Sequence, residues 1–261
     1  VKISIITASR NNASSIDDTL ESIGRQTYSD WEHLIVDGGS TDGTLEVAEQ
    51  HADPRRRLQS EPDEGVYDAM NKGIARATGD VIGFLNADDF YTSASVLESI
   101  ATSLENPERG ACFADLVYVS REDPRHIVRN WTSGEGSLKD FARGKPPAHP
   151  TFYARAEFYT KFGGFDLNFP LAADFELLLR FLVREKIPSV HLDETWVSMR
   201  LGGITNRSLK NVLLQNAECF RAFKANGLRT SPVFFLWKLY TKVVQFSGRS
   251  SLTGSHSHVS E

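Results

Sequence analysis

Asp88 and Asp89 stand side by side at the end of "VIGFLNADDF", Val81 to Phe90, whose first residues have the apolar and glycine character of a buried strand. Carboxylates beside a buried strand are costly unless they bind a cation or accept hydrogen bonds, and two in succession repel each other. A divalent metal removes both costs. Hard oxygen ligands in small number suit Mg²⁺ or Mn²⁺, which keeps several waters and completes its shell with substrate phosphates. The same pair also reads as a solvated turn that caps the next helix, and "DD" alone leaves both readings open.

A second cluster is "VDGGSTDGT". Asp37 closes a strand as Asp88 does, Gly38 and Gly39 permit close backbone approach or positive φ, and Ser40, Thr41 and Asp42 can cap a helix. Asp37 can accept from a base N–H or a ribose hydroxyl, although turn chemistry explains the glycines equally well. The segment matches neither G-x-G-x-x-G nor the P-loop pattern.

The elements that must carry these groups alternate. "KISIIT" reads as a buried strand, and Ser15 with Asp18 reads as a capping box ahead of a helix with Ile16, Leu20 and Ile23 on its core stripe. "HLIVD" is the next strand, then a helix from Thr44 to Gln50, the strand "RLQS", the helix "GVYDAMNKGIARA" and the strand "DVIGFLN". This rhythm predicts a parallel sheet with right-handed crossovers and helices on both faces. Ligands of such sheets bind outside the carboxyl ends of the strands. The polar runs "ASRNN", "DGGSTDG", "EPDEG" and "NADD" fall at those ends, so one ligand touching all four is the economical reading. From Ala111 the pattern turns to a hairpin, "CFADLVYVS" and "HIVRNW", then a short strand "TFY", a helix from Leu171 to Glu185, two strands "SVHL" and "WVSMR", and helices over Ser208–Asn226 and Pro232–Phe246.

In their order and spacing, "SIITASRNN", "VDGGSTDGT", "DEGVYDAMNKGIARATGDVIGFLNADD", "GGFD" and "AADFELLLRF" resemble family 2 glycosyltransferases of the GT-A fold, in particular those that build bacterial surface polysaccharides. The resemblance spans Lys2 to Arg207. It implies an α/β fold with a mostly parallel central sheet flanked by helices: residues 1–207 as the GT-A domain, divided into a nucleotide-binding half (1–90) and an acceptor half (91–207), a C-terminal helical extension (208–247) and a disordered tail (248–261). It further implies a nucleotide-sugar donor, with Asp37 on the nucleoside and Thr7, Ser9 and Asn11 contributing from the first loop. "NADD" stands for the family's metal motif, so that Asp89 holds Mn²⁺ or Mg²⁺ directly and Asp88 faces the ribose or a metal-bound water. Asn86 departs from the longer acidic form of that motif. Asp63, Asp68, Asn71 and Lys72 fall beside the nucleotide; Lys72 can pair with the donor phosphates or be a solvated helix lysine.

Inverting sugar transfer is a single displacement that needs a carboxylate to take the acceptor proton, away from the metal. "LAADFELLLRF" offers Asp174 and Glu176. Glu176 precedes Arg180 by four residues, an ion-pair spacing, while Phe175, Leu178, Leu179 and Leu182 form the packing stripe. Asp174 is left in the first turn, where it suits the helix dipole. The family's "ED" motif maps its second acid to Asp174, which is therefore the expected base, with Ala173 as a departure. His149 in "PAHPTFY" is a candidate for the acceptor side or a structural histidine. Arg200, Thr205 and Arg207, around "GGIT", are candidates for a lid over the pyrophosphate.

Bulk properties bound these readings. At 261 residues, 40% hydrophobic and 24% charged, the chain is of ordinary globular character. Its net charge of −5 gives no global reason to expect nucleic-acid binding. Two distant cysteines, Cys112 and Cys219, indicate neither a disulfide framework nor a zinc site. With a strand-like N-terminus and no long apolar run, a cytoplasmic protein is expected, working free or on the inner face of the membrane. "SPVFFLWKLYTKVVQF" mixes aromatics with Lys238 and Lys242, which suits an interfacial helix beside a polyprenyl-linked acceptor, and equally a helix docked on the domain or in a homodimer contact. The alternatives are a sugar nucleotidyltransferase, for which "TASRNNASS" lacks a basic glycine-rich triphosphate loop, and an inactive nucleotide-sugar-binding protein, against which the carboxylates Asp89 and Asp174 argue.

Overall fold

A computed structural model describes residues 1–202, 209–231 and Phe234. Among them nine strands form one sheet, in the order β3-β2-β1-β4-β8-β6-β9-β5, with β7 pairing on β6. The first half is parallel: β1 (Ile3–Ser9) lies between β2 (Trp31–Asp37) and β4 (Val81–Phe84), and β3 (Arg56–Ser60) adds to β2. Every residue of β1, β2 and β4 is buried, as expected of strands covered on both faces. Helices α1 (Ile16–Gly24), α2 (Thr44–Gln50) and α3 (Val66–Arg76) make the crossovers. The close fit of α3 on β1 depends on Gly73, where a methyl would stand 2.4 Å from Ile6 Cγ2.

The second half is mixed, so the mostly parallel sheet is confined to the first four strands. β8 (Tyr153–Arg155) joins β4 antiparallel and β6 (Ala111–Val119) antiparallel, while β9 (Ser189–Arg200) runs parallel to β6. The hairpin of β6 with β7 (Ile127–Trp131) forms as expected. After β4 the chain passes through "NADD" and returns as β5 (Phe90–Tyr91), antiparallel to β9 at the far edge. The acidic motif is thus a bridge between the parallel half and the end of β9. Helix α4 (Val96–Leu104) follows, and α5 (Leu138–Ala142) and α6 (Ala156–Phe162) flank a short 3₁₀ turn at His149–Thr151.

Three local expectations are corrected. Ser15 makes no capping box: its hydroxyl donates to Asn12 O (3.4 Å) and Ala87 O (3.2 Å), and Asp18 pairs instead with Arg200, because the first turn of α1 is drawn onto the "NADD" turn. "SVHL" and "WVSMR" are one strand, β9, whose pairing with β6 shifts register on either side of Asp115 and absorbs the polar Asp193 and Glu194. The helix over 171–185 is α7 (Ala173–Leu179) followed by a wide π turn over Arg180–Arg184, in which Glu185 N donates to Arg180 O (2.9 Å). Arg180 there reaches the carbonyls of Phe162, Gly163 (3.0 Å) and Gly164 (2.6 Å), and these bonds draw the turn open.

Helix α8 (Leu209–Ala225) packs on α7, with Cys219, Ala222 and Phe223 in the core and Glu218 accepting from Leu171 N (2.8 Å). Of the segment 232–247, Phe234 alone is described; it is buried against Phe175 and Phe223. Among the described residues no helix is long and apolar enough to cross a membrane.

Candidate active site

Asp37, fully buried at the end of β2, ties the first loops into one unit. Its Oδ2 accepts from the amides of Gly39 (3.0 Å) and Ser40 (2.8 Å) and from Ser60 Oγ (2.7 Å), and its Oδ1 from Ser9 Oγ (3.1 Å) and Ser40 Oγ. Burial pushes this carboxyl up, but the donors outweigh it and hold the group below its ordinary value. Thr7 is also spent inside the sheet, donating to Leu85 O (2.7 Å) and meeting His33 Nε2 (2.9 Å). Asn11 is the outward member. Exposed and at a φ of 55°, it bonds Ser40 Oγ through its amide N–H (2.8 Å) and Thr41 N through Oδ1 (2.9 Å). Asp63 leans over the same loop against Gly38, where a methyl would stand 2.1 Å from Asp63 Oδ2 and displace that side chain. Lys72 braces the next loop, donating to Pro62 O (2.7 Å) and pairing with Asp68 (2.9 Å).

The two aspartates of "NADD" are sorted by burial. Asp89 has no exposed surface; its Oδ1 accepts from Arg200 N (3.2 Å) and its Oδ2 from Asn86 Nδ2 (2.9 Å). Burial, and then the neighbouring Asp88, push its carboxyl well above the usual range. Asn86 therefore supplies a donor to a buried carboxyl, where an aspartate would add a further acidic group beside Asp88. Asp88 keeps 24% of its side chain exposed and meets Arg121 Nη2 at 3.4 Å, while Arg121 Nε donates to Leu201 O (3.3 Å). Arg200 is no mobile lid group: it is buried, donates to Asp88 O (2.7 Å), pairs with Asp18 and lies over the Phe90 ring. Thr19 Oγ1 closes the turn from below through Asp89 O (2.7 Å). Thr205 and Arg207 lie outside the described residues.

On the other side stands Asp174, in the first turn of α7. Its Oδ1 accepts from Phe175 N (2.8 Å) and from Tyr67 OH (3.1 Å), a hydroxyl carried by α3. Its Oδ2 accepts no hydrogen bond from the described residues. Glu176, by contrast, is buried and consumed by Arg180 (2.9 Å) and Asn226 Nδ2 (3.1 Å), the structural part its spacing suggested. Ala173 is fully buried in the core, so its place before Asp174 has no room for a hydrated carboxylate. His149 is buried between Phe84 (ring centroids 5.2 Å apart) and Phe165 (5.4 Å), and its Nε2 has no hydrogen-bond partner. Burial lowers its proton affinity and Asp174 restores part of it, so the ring is neutral at physiological pH.

Sequence reasoning missed Tyr67, Arg121 and the structural use of Asn86. Tyr67 lies one residue from the quoted Asp68, but its partner is 107 residues away.

A sheet that gathers acidic loops at the carboxyl ends of its parallel half, and links them through α3 to a carboxylate of its mixed half, defines the GT-A-like class of α/β glycosyltransferase folds. The profile of glycosyl transferase family 2 matches residues 4–165. A PGL/p-HBAD biosynthesis glycosyltransferase of Mycobacterium bovis (strain BCG / Pasteur 1173P2) is 31% identical over 210 residues, covering 78% of each chain. The chain belongs to glycosyl transferase family 2 and is a glycosyltransferase. Two solved structures share the fold: S. aureus TarS 1–349 in complex with UDP (TM-score 0.65, 17% identity, 91% of this chain and 68% of that one), and glucosyl-3-phosphoglycerate synthase from Mycobacterium tuberculosis with Mn²⁺, UDP and glucosyl-3-phosphoglycerate (TM-score 0.61, 16% identity, 88% and 81%).

Proposed function

We propose that this glycosyltransferase is inverting and metal-dependent, and moves a sugar from a UDP-sugar to a hydroxyl of a saccharide or polyprenyl-linked acceptor in bacterial surface-glycan assembly. The observation that carries the reading is the division among its carboxylates: Asp88 is partly exposed in the turn after β4, and Asp174 on α7 has one oxygen that accepts no hydrogen bond from the described residues. Two structures of this fold hold UDP and one of them Mn²⁺, which supports the donor and the ion.

Asp88 rather than Asp89 is assigned to the ion, because Asp89 is fully buried whereas Asp88 keeps 24% of its side chain exposed. Among the described residues no three carboxylate, imidazole or thiol groups converge on one point. A single hard oxygen ligand fits an ion that takes the rest of its shell from a diphosphate and water. Bound there, Mn²⁺ or Mg²⁺ supplies positive charge against the departing nucleoside diphosphate. Arg121, beside Asp88, adds a second cation to the same place. The Asp37 network fixes the loops that would face the nucleoside, with Asn11 and Asp63 on their outer surface. Asp174 Oδ2 takes the acceptor proton. This divides the labour between the first 90 residues and those that follow.

Transfer from a UDP-sugar is expected to stop on chelation, to resume with Mn²⁺, and to give a product of inverted anomeric configuration by proton NMR. Retained configuration, or turnover indifferent to EDTA, contradicts the reading.

A further inference from the structure

Tyr67 has no role in the donor loops beside it, yet its hydroxyl is spent on a carboxylate of the other half of the molecule. Its ring is held by a stacking contact. It stacks on Phe165 (centroids 5.3 Å, interplanar 27°), and Phe165 meets Phe84 (5.1 Å) and His149 (5.4 Å) edge-on. The Phe165 backbone is itself clamped to α3, since Asn71 Nδ2 donates to Phe165 O (2.9 Å) and Asn71 Oδ1 accepts from Phe165 N (2.8 Å). Gly164 is required for this clamp: a methyl there would stand 2.3 Å from Asn71 Oδ1. The Tyr67 end of the Tyr67–Asp174 bond is therefore held by packing, and the hydroxyl has one proton to give.

Burial, and then Asp174 itself, raise the Tyr67 hydroxyl well above the usual phenol range, so it stays a donor throughout the working pH range. With Tyr67 and Phe175 N on Oδ1, one oxygen of the carboxylate is occupied by donors, and the other receives none from the described residues.

Resting on the assignment of Asp174 as base, we propose that Tyr67 is its positioning residue, reserving Oδ1 so that the acceptor proton is taken by Oδ2. In the transfer step the acceptor oxygen bonds to the anomeric carbon and its proton passes to Oδ2. The bond from that carbon to the diphosphate breaks, and its electron pair leaves with the nucleoside diphosphate. Tyr67 keeps its proton and touches no reacting atom. Its bond fixes the rotamer in which Oδ2 is presented. His149 from the 3₁₀ turn and Tyr118 from β6 are titratable groups near this carboxylate, and the Glu176–Arg180 pair lies on its own element.

Tyr67→Phe keeps the stacked ring and removes the bond. Its kcat is expected to fall about tenfold or more, with UDP affinity and donor KM within about twofold of the parent. In an Asp174→Asn background the same substitution is expected to change residual turnover less than twofold, since the residue acts through Asp174. A parental kcat in Tyr67→Phe overturns the proposal. So does a kcat loss matched by an equal loss of UDP affinity, which marks a structural role only. An active Asp174→Asn enzyme instead removes the base assignment on which the proposal rests, and is read independently of Tyr67.

Discussion

Asp37 and Asp174 are both aspartates at the border of a regular element and an open loop, yet the two regions use them in opposite ways. Asp37 is saturated by five donors and freezes the loops above β1 and β2; Asp174 is anchored through one oxygen, and its other accepts no hydrogen bond from the described residues. Within one turn, Asp89 is fully buried while Asp88 keeps part of its side chain exposed. A carboxylate whose acceptor positions are filled is framework, and chemistry falls to the carboxylate that still has an oxygen to offer. The donor side is a hydrogen-bonded frame with Asp88 partly exposed at its edge, and the acceptor side is a base held by two bonds.

This contrast can be broken at four places, in descending order of effect. Asp174→Asn is expected to reduce transfer by about a hundredfold or more, the scale of a lost general base, without changing the melting temperature by more than a degree or two; steady-state kinetics and calorimetry read both. Asp89→Asn replaces with an amide donor one of two oxygens that each accept a hydrogen bond, from Arg200 N and from Asn86 Nδ2. A loss of about 1–3 kcal/mol is expected for a disrupted buried polar contact, or a melting temperature lower by about 3–10 °C, whereas Asp88→Asn is expected to leave melting nearly unchanged. Asp37 contributes through a depressed carboxyl, so its stabilisation is full above the ordinary aspartate range near pH 4 and is lost as pH falls through the folded-state value. The stability gap between parent and Asp37→Asn in urea titrations is therefore expected to narrow from pH 7 to about pH 3; a constant gap contradicts the network's role. Lys72→Ala is the smallest: with Lys72 engaged by Asp68 and Pro62 O, UDP affinity is expected to change by less than about twofold.

Much of the frame is legible in the sequence because it is periodic. The alternation of buried strands with helices carrying Ile16, Leu20 and Ile23 at helical spacing gives the parallel half and its loops, and the Glu176–Arg180 pair follows from their spacing. What is not legible depends on register and long-range approach. Thr7 looks like a ligand residue until strand pairing sets its hydroxyl against His33 and Leu85. Arg200 looks like a lid until the return of β5 along β9 brings "NADD" onto it. Which of two adjacent aspartates is buried is likewise decided by that return and by no local motif. The Ser15–Asp18 spacing fails for the same reason, since tertiary partners took both side chains.

The central claim is that donor holding and acceptor activation rest on different carboxylates, Asp88 and Asp174. It is tested most directly by titrating UDP with Mn²⁺ into Asp88→Asn and Asp174→Asn side by side. The account predicts an affinity loss of about tenfold or more for Asp88→Asn and an affinity within about twofold of the parent for Asp174→Asn, the two variants being alike in failing to transfer. Equal affinities in both variants, or a loss confined to Asp174→Asn, would contradict it.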